Sequence, residues 1–215
     1  MAPTLGYWNI RGVSAPIRYL LEYVGQPYEF KGYDLSNAQE WFGVKETLGF
    51  EFPNLPYLID GDFKLTQGNA IIRYFARKHN LIATSEKDII EQDVMDGVIT
   101  EFLMAWVTVT YATPGKEEDL KRYRTENLTP MLQRFEKHLN NREYLVGNKL
   151  TYADFQFFER LDANIIMFPD LLKDFPNLKK FHDRIANLKG VKEFRASDRL
   201  PKSLNAGPKA KWNNV

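Results

Sequence analysis

The sequence predicts an α/β domain followed by an all-α domain, and three observations carry that prediction. The first eighty or so residues alternate short strand patterns with helical ones. Beyond about residue 82 only long helical periodicities remain, with no strand pattern of comparable strength. The 215-residue length accommodates one large domain or two modest ones.

In chain order, Leu5–Ile10 (LGYWNI) is apolar and aromatic, is closed by Arg11-Gly12, and reads as a strand. Ser14 stands where an N-cap belongs, with Pro16 just inside. Ile17, Leu20, Leu21 and Val24 follow at the spacing of one helix face, and Gly25 stops the run. Tyr28–Tyr33 is a second strand, followed by a less regular stretch over residues 35–52. Pro56–Ile59 and Phe63–Thr66 flank Asp60-Gly61-Asp62, which predicts a hairpin. Asn69–His79 predicts a helix carrying Ile71, Ile72 and Phe75, with Asn80 as its stop.

Thr84-Ser85 then introduces a long helix through Ile89, Ile90, Val94, Val98, Phe102 and Trp106, broken at Thr113-Pro114-Gly115. Leu128, Met131, Leu132, Phe135 and Leu139 mark another, with Pro130 at a kink or boundary. Thr151 and Asp154 form a capping-box pattern opening a helix through Phe155, Phe158, Leu161 and Ile165. Leu178, Phe181, Ile185 and Leu188 form the last apolar stripe. The tail from Arg199, rich in Pro, Lys, Gly and Asn, is expected to cross the surface.

Composition removes several chemistries. No cysteine occurs, which excludes disulfides, zinc–thiolate sites and a protein thiol nucleophile; sulfur chemistry needs sulfur on a ligand. His79, His138 and His182 are dispersed without ligand spacing, so no metal is expected. The glycines form no phosphate loop, and no nucleophile elbow occurs. Charged residues make up 27% but nearly cancel to +1, and no basic stripe accompanies the aromatics, so no nucleic-acid partner is expected. No apolar run approaches the ~18 residues of a membrane span. The opening Met1-Ala2-Pro3-Thr4 lacks signal-peptide regions, and the expectation is a cytoplasmic protein with no membrane partner.

What remains is a distributed polar set in the first domain. Tyr7 and Trp8 lie in the opening strand, and Trp41 and Lys45 fall four apart, facing one way on a helical turn. Asn54-Leu55-Pro56 begins a strand, where the proline suits a cis bond at a sheet edge. Gln67-Gly68-Asn69 precedes a helix whose free N–H groups suit an anion. Each residue alone reads more readily as packing or solvated surface than as a site.

Together these segments resemble a known family. The run Gly6-Tyr7-Trp8-Asn9-Ile10-Arg11-Gly12, then Trp41 and Lys45, residues 48–61 (LGFEFPNLPYLIDG), Leu65-Thr66-Gln67, Arg73-Tyr74 and Ala76–Asn80 is similar to mu-class cytosolic glutathione transferases. Gly147–Thr151 and Asp154-Phe155 extend the similarity into the second half. The resemblance implies a thioredoxin-like glutathione-binding domain at 1–82, a linker at 83–86 and an all-helical domain at 87–215. It also implies a homodimer conjugating glutathione, as co-substrate with no resident cofactor, to small hydrophobic electrophiles in detoxification. A glutathione-dependent isomerase or a non-catalytic apolar-ligand carrier are alternatives on the same fold.

Residue by residue, the resemblance makes Tyr7 the donor to the glutathione thiolate. Trp8 joins the glutathione site, and Trp41 and Lys45 become ligands of the glycyl carboxylate. Asn54 and Leu55 become the edge that pairs with the cysteinyl unit, Pro56 the cis proline, and Gln67 with Gly68 the γ-glutamyl site. Gly68 departs from the family's usual serine. Glu101 falls, counting back from Tyr111, at the acid reaching the partner subunit's γ-glutamyl ammonium; Asp96 replaces it if the register differs by about one turn. Trp8, Ile10, Val13, Met104 and Tyr111 match the electrophile pocket. Phe52 matches the apolar dimer key and Arg73 the arginine at the two-fold axis. The segment Asp34–Glu40 is shorter than in vertebrate members, implying a smaller flap and a more open acceptor pocket.

Overall fold

The computed structural model describes residues 2–207 and 209–214. One mixed sheet organises the first half. Strand β1 (Thr4–Trp8) pairs in parallel with β2 (Glu29–Tyr33) and antiparallel with β3 (Tyr57–Asp60), which continues into β4 (Phe63–Thr66). Its order is β2-β1-β3-β4, so β1 is interior and its Leu5, Gly6 and Tyr7 are buried. Parallel pairing of β1 and β2 needs a crossover, and helix α1 (Ala15–Val24) supplies it. The short helix α2 (Gln39–Phe42) follows β2. Gly61, at φ +62°, turns the β3–β4 hairpin, and α3 (Gly68–Lys78) packs Ile71, Ile72 and Phe75 inward. Asn80 ends that run in a left-handed conformation, as its position predicts.

The second half is helical. Helix α4 (Glu86–Val107) starts under a Ser85 cap whose hydroxyl accepts the Asp88 N–H at 3.1 Å, and it runs on as a π-wound turn, Thr108–Ala112. Then come α5 (Glu117–Arg122), a π-wound segment Tyr123–Leu128 and α6 (Thr129–His138), so Pro130 sits in the first turn of a new helix. Helix α7 (Tyr152–Met167) is the axis of this half, followed by α8 (Pro176–Ala186) and α9 (Val191–Ala196). It packs on α1 and α3 of the first half and on α4 and α8 of the second, and one apolar core runs through both.

Two features of α7 go beyond its apolar periodicity. Its start is held by Asp154, fully buried, which accepts the Thr151 N–H at 2.8 Å, the Thr151 hydroxyl at 3.2 Å and the Leu145 N–H at 2.9 Å. Its middle carries buried charge. The Arg11 guanidinium, in the turn after β1, lies 2.6 Å from both the Glu159 and the Asp162 carboxylates. The Tyr19 hydroxyl donates to Glu159 at 3.0 Å, and His182 and Arg195 close on Asp162 at 2.8 and 3.0 Å. Burial opposes ionisation of Asp162, but the His182 hydrogen bond and the Arg11 and Arg195 charges together hold it well below the usual carboxylate range.

The structure corrects four local readings. Strand β1 ends at Trp8 rather than Ile10, because the chain turns there. Ser14 does not cap α1: its backbone is already helical and its hydroxyl turns back to the Arg11 carbonyl at 3.3 Å. The stretch Glu86–Ala112, contrary to the expectation, is long and apolar enough to cross a membrane by length and composition. Its Gln92, Met95, Ile99, Phe102 and Trp106 are buried, and it packs on α7. The tail, finally, is docked rather than merely laid on the surface, since Leu204 and Asn205 are buried. Ser203 and Leu204 carbonyls accept the Arg11 and Gly12 N–H groups at 2.9 and 3.4 Å. Asn205 accepts the Trp106 indole N–H at 3.0 Å, and the Lys211 N–H reaches the Thr110 carbonyl at 2.7 Å. A tail read as polar is therefore anchored by one leucine and by asparagines that stand in for backbone partners.

Candidate active site

The end of β1 and the turn that follows it build a phenol site. Tyr7 is buried, and its Oη accepts the Val13 N–H at 3.4 Å. Gly12 makes this possible twice over. It sits at φ +43°, and a Cβ there would lie 2.6 Å from the Tyr7 hydroxyl. Burial pushes the Tyr7 phenol up, against the opposing pull of the Val13 N–H and the Arg160 charge. The phenol therefore keeps its proton at neutral pH. With the backbone N–H on its acceptor side, that proton is left to donate.

The same end of the sheet carries an aromatic box, since Tyr33 pairs with Trp8 and Tyr57 with Gly6. Trp41 is 3% exposed, stacks on Tyr57 at 5.9 Å between centroids, and meets the Tyr33 ring edge-on at 5.4 Å. The Tyr33 and Tyr57 hydroxyls pair at 3.0 Å. Lys45 lies one turn on, its N–H bonded to the Trp41 carbonyl at 2.9 Å and its partly exposed ammonium 3.9 Å from Glu46.

Next along the chain from the sheet lies a helix terminus. The Leu55–Pro56 peptide is cis as predicted, but it opens β3, which lies between β1 and β4 rather than at the sheet edge. Gln67 precedes α3 at φ +75°, a strained conformation for a residue with a side chain, and supplies no side-chain cap. The first Gln67 carbonyl bond goes to Ile71, which leaves the Gly68, Asn69 and Ala70 amides without intrahelical partners. Beside them, an interdomain cavity of about 90 Å³ is lined by Val13, Ile17, Gly68, Asp96, Gln156 and Arg160. A phenolic donor, a cation one helical turn from an aromatic box and an open helix N-terminus together suit a ligand with two carboxylates and an ionisable centre.

Residues 3–77 match the family model "Glutathione S-transferase, N-terminal domain", and residues 100–198 match "Glutathione S-transferase, C-terminal domain". The chain belongs to the glutathione S-transferase family. It is 41% identical over 217 residues to glutathione S-transferase B of Cavia porcellus, covering 98% of this chain and 99% of that one. It is 40% identical to glutathione S-transferase Mu 1 of Oryctolagus cuniculus over the full length of both. Among solved structures, it resembles the pi-class glutathione S-transferase of Onchocerca volvulus with a TM-score of 0.85 at 30% identity, covering 97% and 100% of the two chains. The glutathione S-transferase Blo t 8 matches with a TM-score of 0.81 at 32% identity, over 97% and 99%. The protein is thus a glutathione transferase of mu-class likeness, with a thioredoxin-like first domain and a helical second one.

Other residues singled out in the transferase sequence occupy varied surroundings. Asn54 uses its side-chain oxygen on the Leu55 N–H at 2.9 Å, so that edge amide is engaged locally. Ile10 is buried, Trp8 is half-buried against Tyr33 and Phe42, and Met104 is exposed. The Tyr111 hydroxyl accepts the Ala206 N–H at 2.7 Å from the docked tail. Glu101 is exposed on α4. Asp96 is engaged within the chain, accepting from Tyr152 at 2.6 Å and from Arg73. Arg73 also donates to the Tyr152 hydroxyl at 2.9 Å, so it latches α3 to α4 and α7 within one subunit.

The sequence reading missed Gly12 and Arg160 of the transferase. Gly12 was legible only as a strand stop. The signal for Arg160 was that residues 155–166 (FQFFERLDANII) interrupt apolar residues on every face of one helix with Glu, Arg and Asp. Such a helix buries charge.

Proposed function

We propose that this transferase ionises the glutathione thiol at Tyr7 and presents the thiolate to small hydrophobic electrophiles. The observation that carries the proposal is the buried phenol whose oxygen accepts from Val13 N–H, leaving its proton to the sulfur. Trp41 and Lys45 take the glycyl carboxylate. Asn54, Leu55 and Pro56 form the edge beside the cysteinyl unit, and Gln67 with Gly68 offers the α3 terminus to the γ-glutamyl carboxylate. Trp8, Ile10, Val13, Met104 and Tyr111 form the electrophile wall. A structure soaked with glutathione tests this reading: the sulfur should sit within hydrogen-bond distance of Tyr7 Oη. Activity with an activated chloroarene but a sulfur remote from Tyr7 would refute it.

Gly68 offers a direct test of the γ-glutamyl site. A Cβ there would meet Pro56 and Val13 side chains at 3.6 Å, ordinary contact distance, so a serine fits without rearrangement. Its hydroxyl would add one donor to the free amides. Gly68→Ser is expected to tighten glutathione binding about fivefold, roughly 1 kcal/mol for a hydrogen bond. Calorimetric titration giving an equal or higher dissociation constant contradicts this placement.

The protein works as a cytoplasmic homodimer in detoxification on this reading, with Glu101 of the partner subunit reaching the γ-glutamyl ammonium. Phe52 is 69% exposed, with Ile90 at 59% and Val94 at 55%, apolar side chains that a second copy covers. Truncating a buried aromatic anchor costs about 2 kcal/mol, roughly thirtyfold in dissociation constant. Phe52→Ala should therefore shift sedimentation toward monomer at low micromolar concentration; an intact dimer there removes Phe52 as the anchor.

A further inference from the structure

Arg160 stands apart from the rest of the buried charge. It is 6% exposed, and its guanidinium donates to the Gly12 carbonyl at 2.6 Å. The nearby carboxylates are already committed elsewhere. Glu159 is held by Arg11 and by the Tyr19 hydroxyl, and Asp162 by Arg11, Arg195 and His182. The His182 imidazole aside, Arg11, Arg160 and Arg195 outnumber Glu159 and Asp162 by one cation. The unmatched member is Arg160, which lies on the Tyr7 side.

That position matters because of what Arg160 grips. Gly12 is the residue whose missing side chain lets the Tyr7 phenol seat, and the next N–H, Val13, holds the phenol oxygen. Arg160 also lines the interdomain cavity with Val13 and Gly68, which places it near both the proposed thiol and γ-glutamyl ends of the site. An unbalanced buried cation favours any anion that forms beside it.

We infer that Arg160 is a positioning residue for thiol activation: it fixes the Gly12–Val13 backbone behind Tyr7 and supplies the uncompensated positive charge that favours the thiolate. The inference rests on the reading of Tyr7 as the thiol's partner. Tyr7 and Arg160 act on each other electrostatically, and burial works against the Arg160 charge while Glu159 supports it. The other titratable or charged groups facing this region are Arg11 from the turn, Tyr19 from α1, Asp96 from across the cavity, and the Tyr111 and Tyr123 phenols from the helical half. Asp96, the one carboxylate among them, is engaged by Arg73 and Tyr152.

The test titrates thiolate absorbance of the glutathione complex against pH in the parent, Arg160→Gln, Arg160→Lys and Tyr7→Phe proteins, with thermal unfolding and glutathione affinity measured alongside. Arg160→Gln should raise the bound thiol pKa by about one unit, a loss of about tenfold in kcat/KM at pH 6.5 that closes at alkaline pH. Glutathione affinity at alkaline pH should stay within about threefold of the parent. Arg160→Lys keeps a cation but is too short to keep the Gly12 bond. It should hold the thiol pKa within a few tenths of the parent and lose about threefold in kcat at all pH values. A folded Arg160→Gln protein with the parent's thiol pKa overturns the proposal. So does an Arg160→Lys protein indistinguishable from the parent, which decides the matter even if the Gln variant does not fold. If Tyr7→Phe alone leaves the titration unmoved, the Tyr7 reading fails instead.

Discussion

Tyr7→Phe is expected to raise the pKa of enzyme-bound glutathione by about two units and to lower kcat/KM about a hundredfold at pH 6.5. The ring is buried at the end of β1, so phenylalanine fills the same volume and the fold is retained. What is lost is one hydroxyl, which takes the Val13 N–H on its oxygen and has its proton to give. A free thiol near ~8.5 is only a few per cent ionised at neutral pH, and a shift of two units corresponds to about 2.7 kcal/mol. A charge-assisted hydrogen bond supplies much of that, and helix-terminus amides add to it. The sign fixes the form of the result. The bond favours the anion, so its loss matters below the thiol pKa and fades above it, where the thiol ionises unaided. The pH–rate profile should therefore move in the alkaline direction, with its plateau less affected than its acid limb. Glutathione affinity should change less than about threefold, because the carboxylate contacts proposed for Lys45 and the α3 terminus do not involve the Tyr7 hydroxyl. An unshifted profile removes Tyr7 from the chemistry.

Most of the architecture was readable because it rests on local signals. The hairpin around Gly61, the stop at Asn80 and the start of the long helix after Thr84-Ser85 each depend on a few adjacent residues, and each appears where the pattern puts it. The cis bond at Pro56 follows the same logic. The site was legible only in part, because its parts converge through tertiary contacts. Nothing near Tyr7 in the chain announces that Arg160 will hold the Gly12 carbonyl, or that the tail will return to Arg11 and Tyr111. Arg73 shows the opposite limit. The family resemblance made it a two-fold-axis residue, yet within one subunit it already has two partners, Tyr152 and Asp96, that no spacing rule connects. Separation along the chain is what hides such pairs, and burial is what makes them matter.

Asp154→Ala should destabilise the protein by about 3 kcal/mol. The carboxylate lies at the base of α7, the helix against which both halves pack, and it is fully buried. It serves three donors: the Thr151 N–H, the Thr151 hydroxyl and the Leu145 N–H. Leu145 and Thr151 are themselves buried, so alanine leaves their amides with no water to replace the lost acceptor. Each orphaned donor costs about 1–3 kcal/mol, and the lost helix cap adds about 1. These terms are not additive, because the three bonds share one carboxylate, which keeps the expected total near 3 kcal/mol. Asp154→Asn retains one acceptor oxygen and should cost roughly half as much. Denaturant unfolding measures both. The molecules that remain folded should keep the parent's kcat/KM, since Asp154 touches neither the Tyr7 turn nor the α3 terminus. A loss below about 1 kcal/mol means that the carboxylate's three bonds are redundant with the packing of α7. A fall in kcat/KM at full folding means that the cap also sets the geometry of Arg160, six residues farther along the same helix.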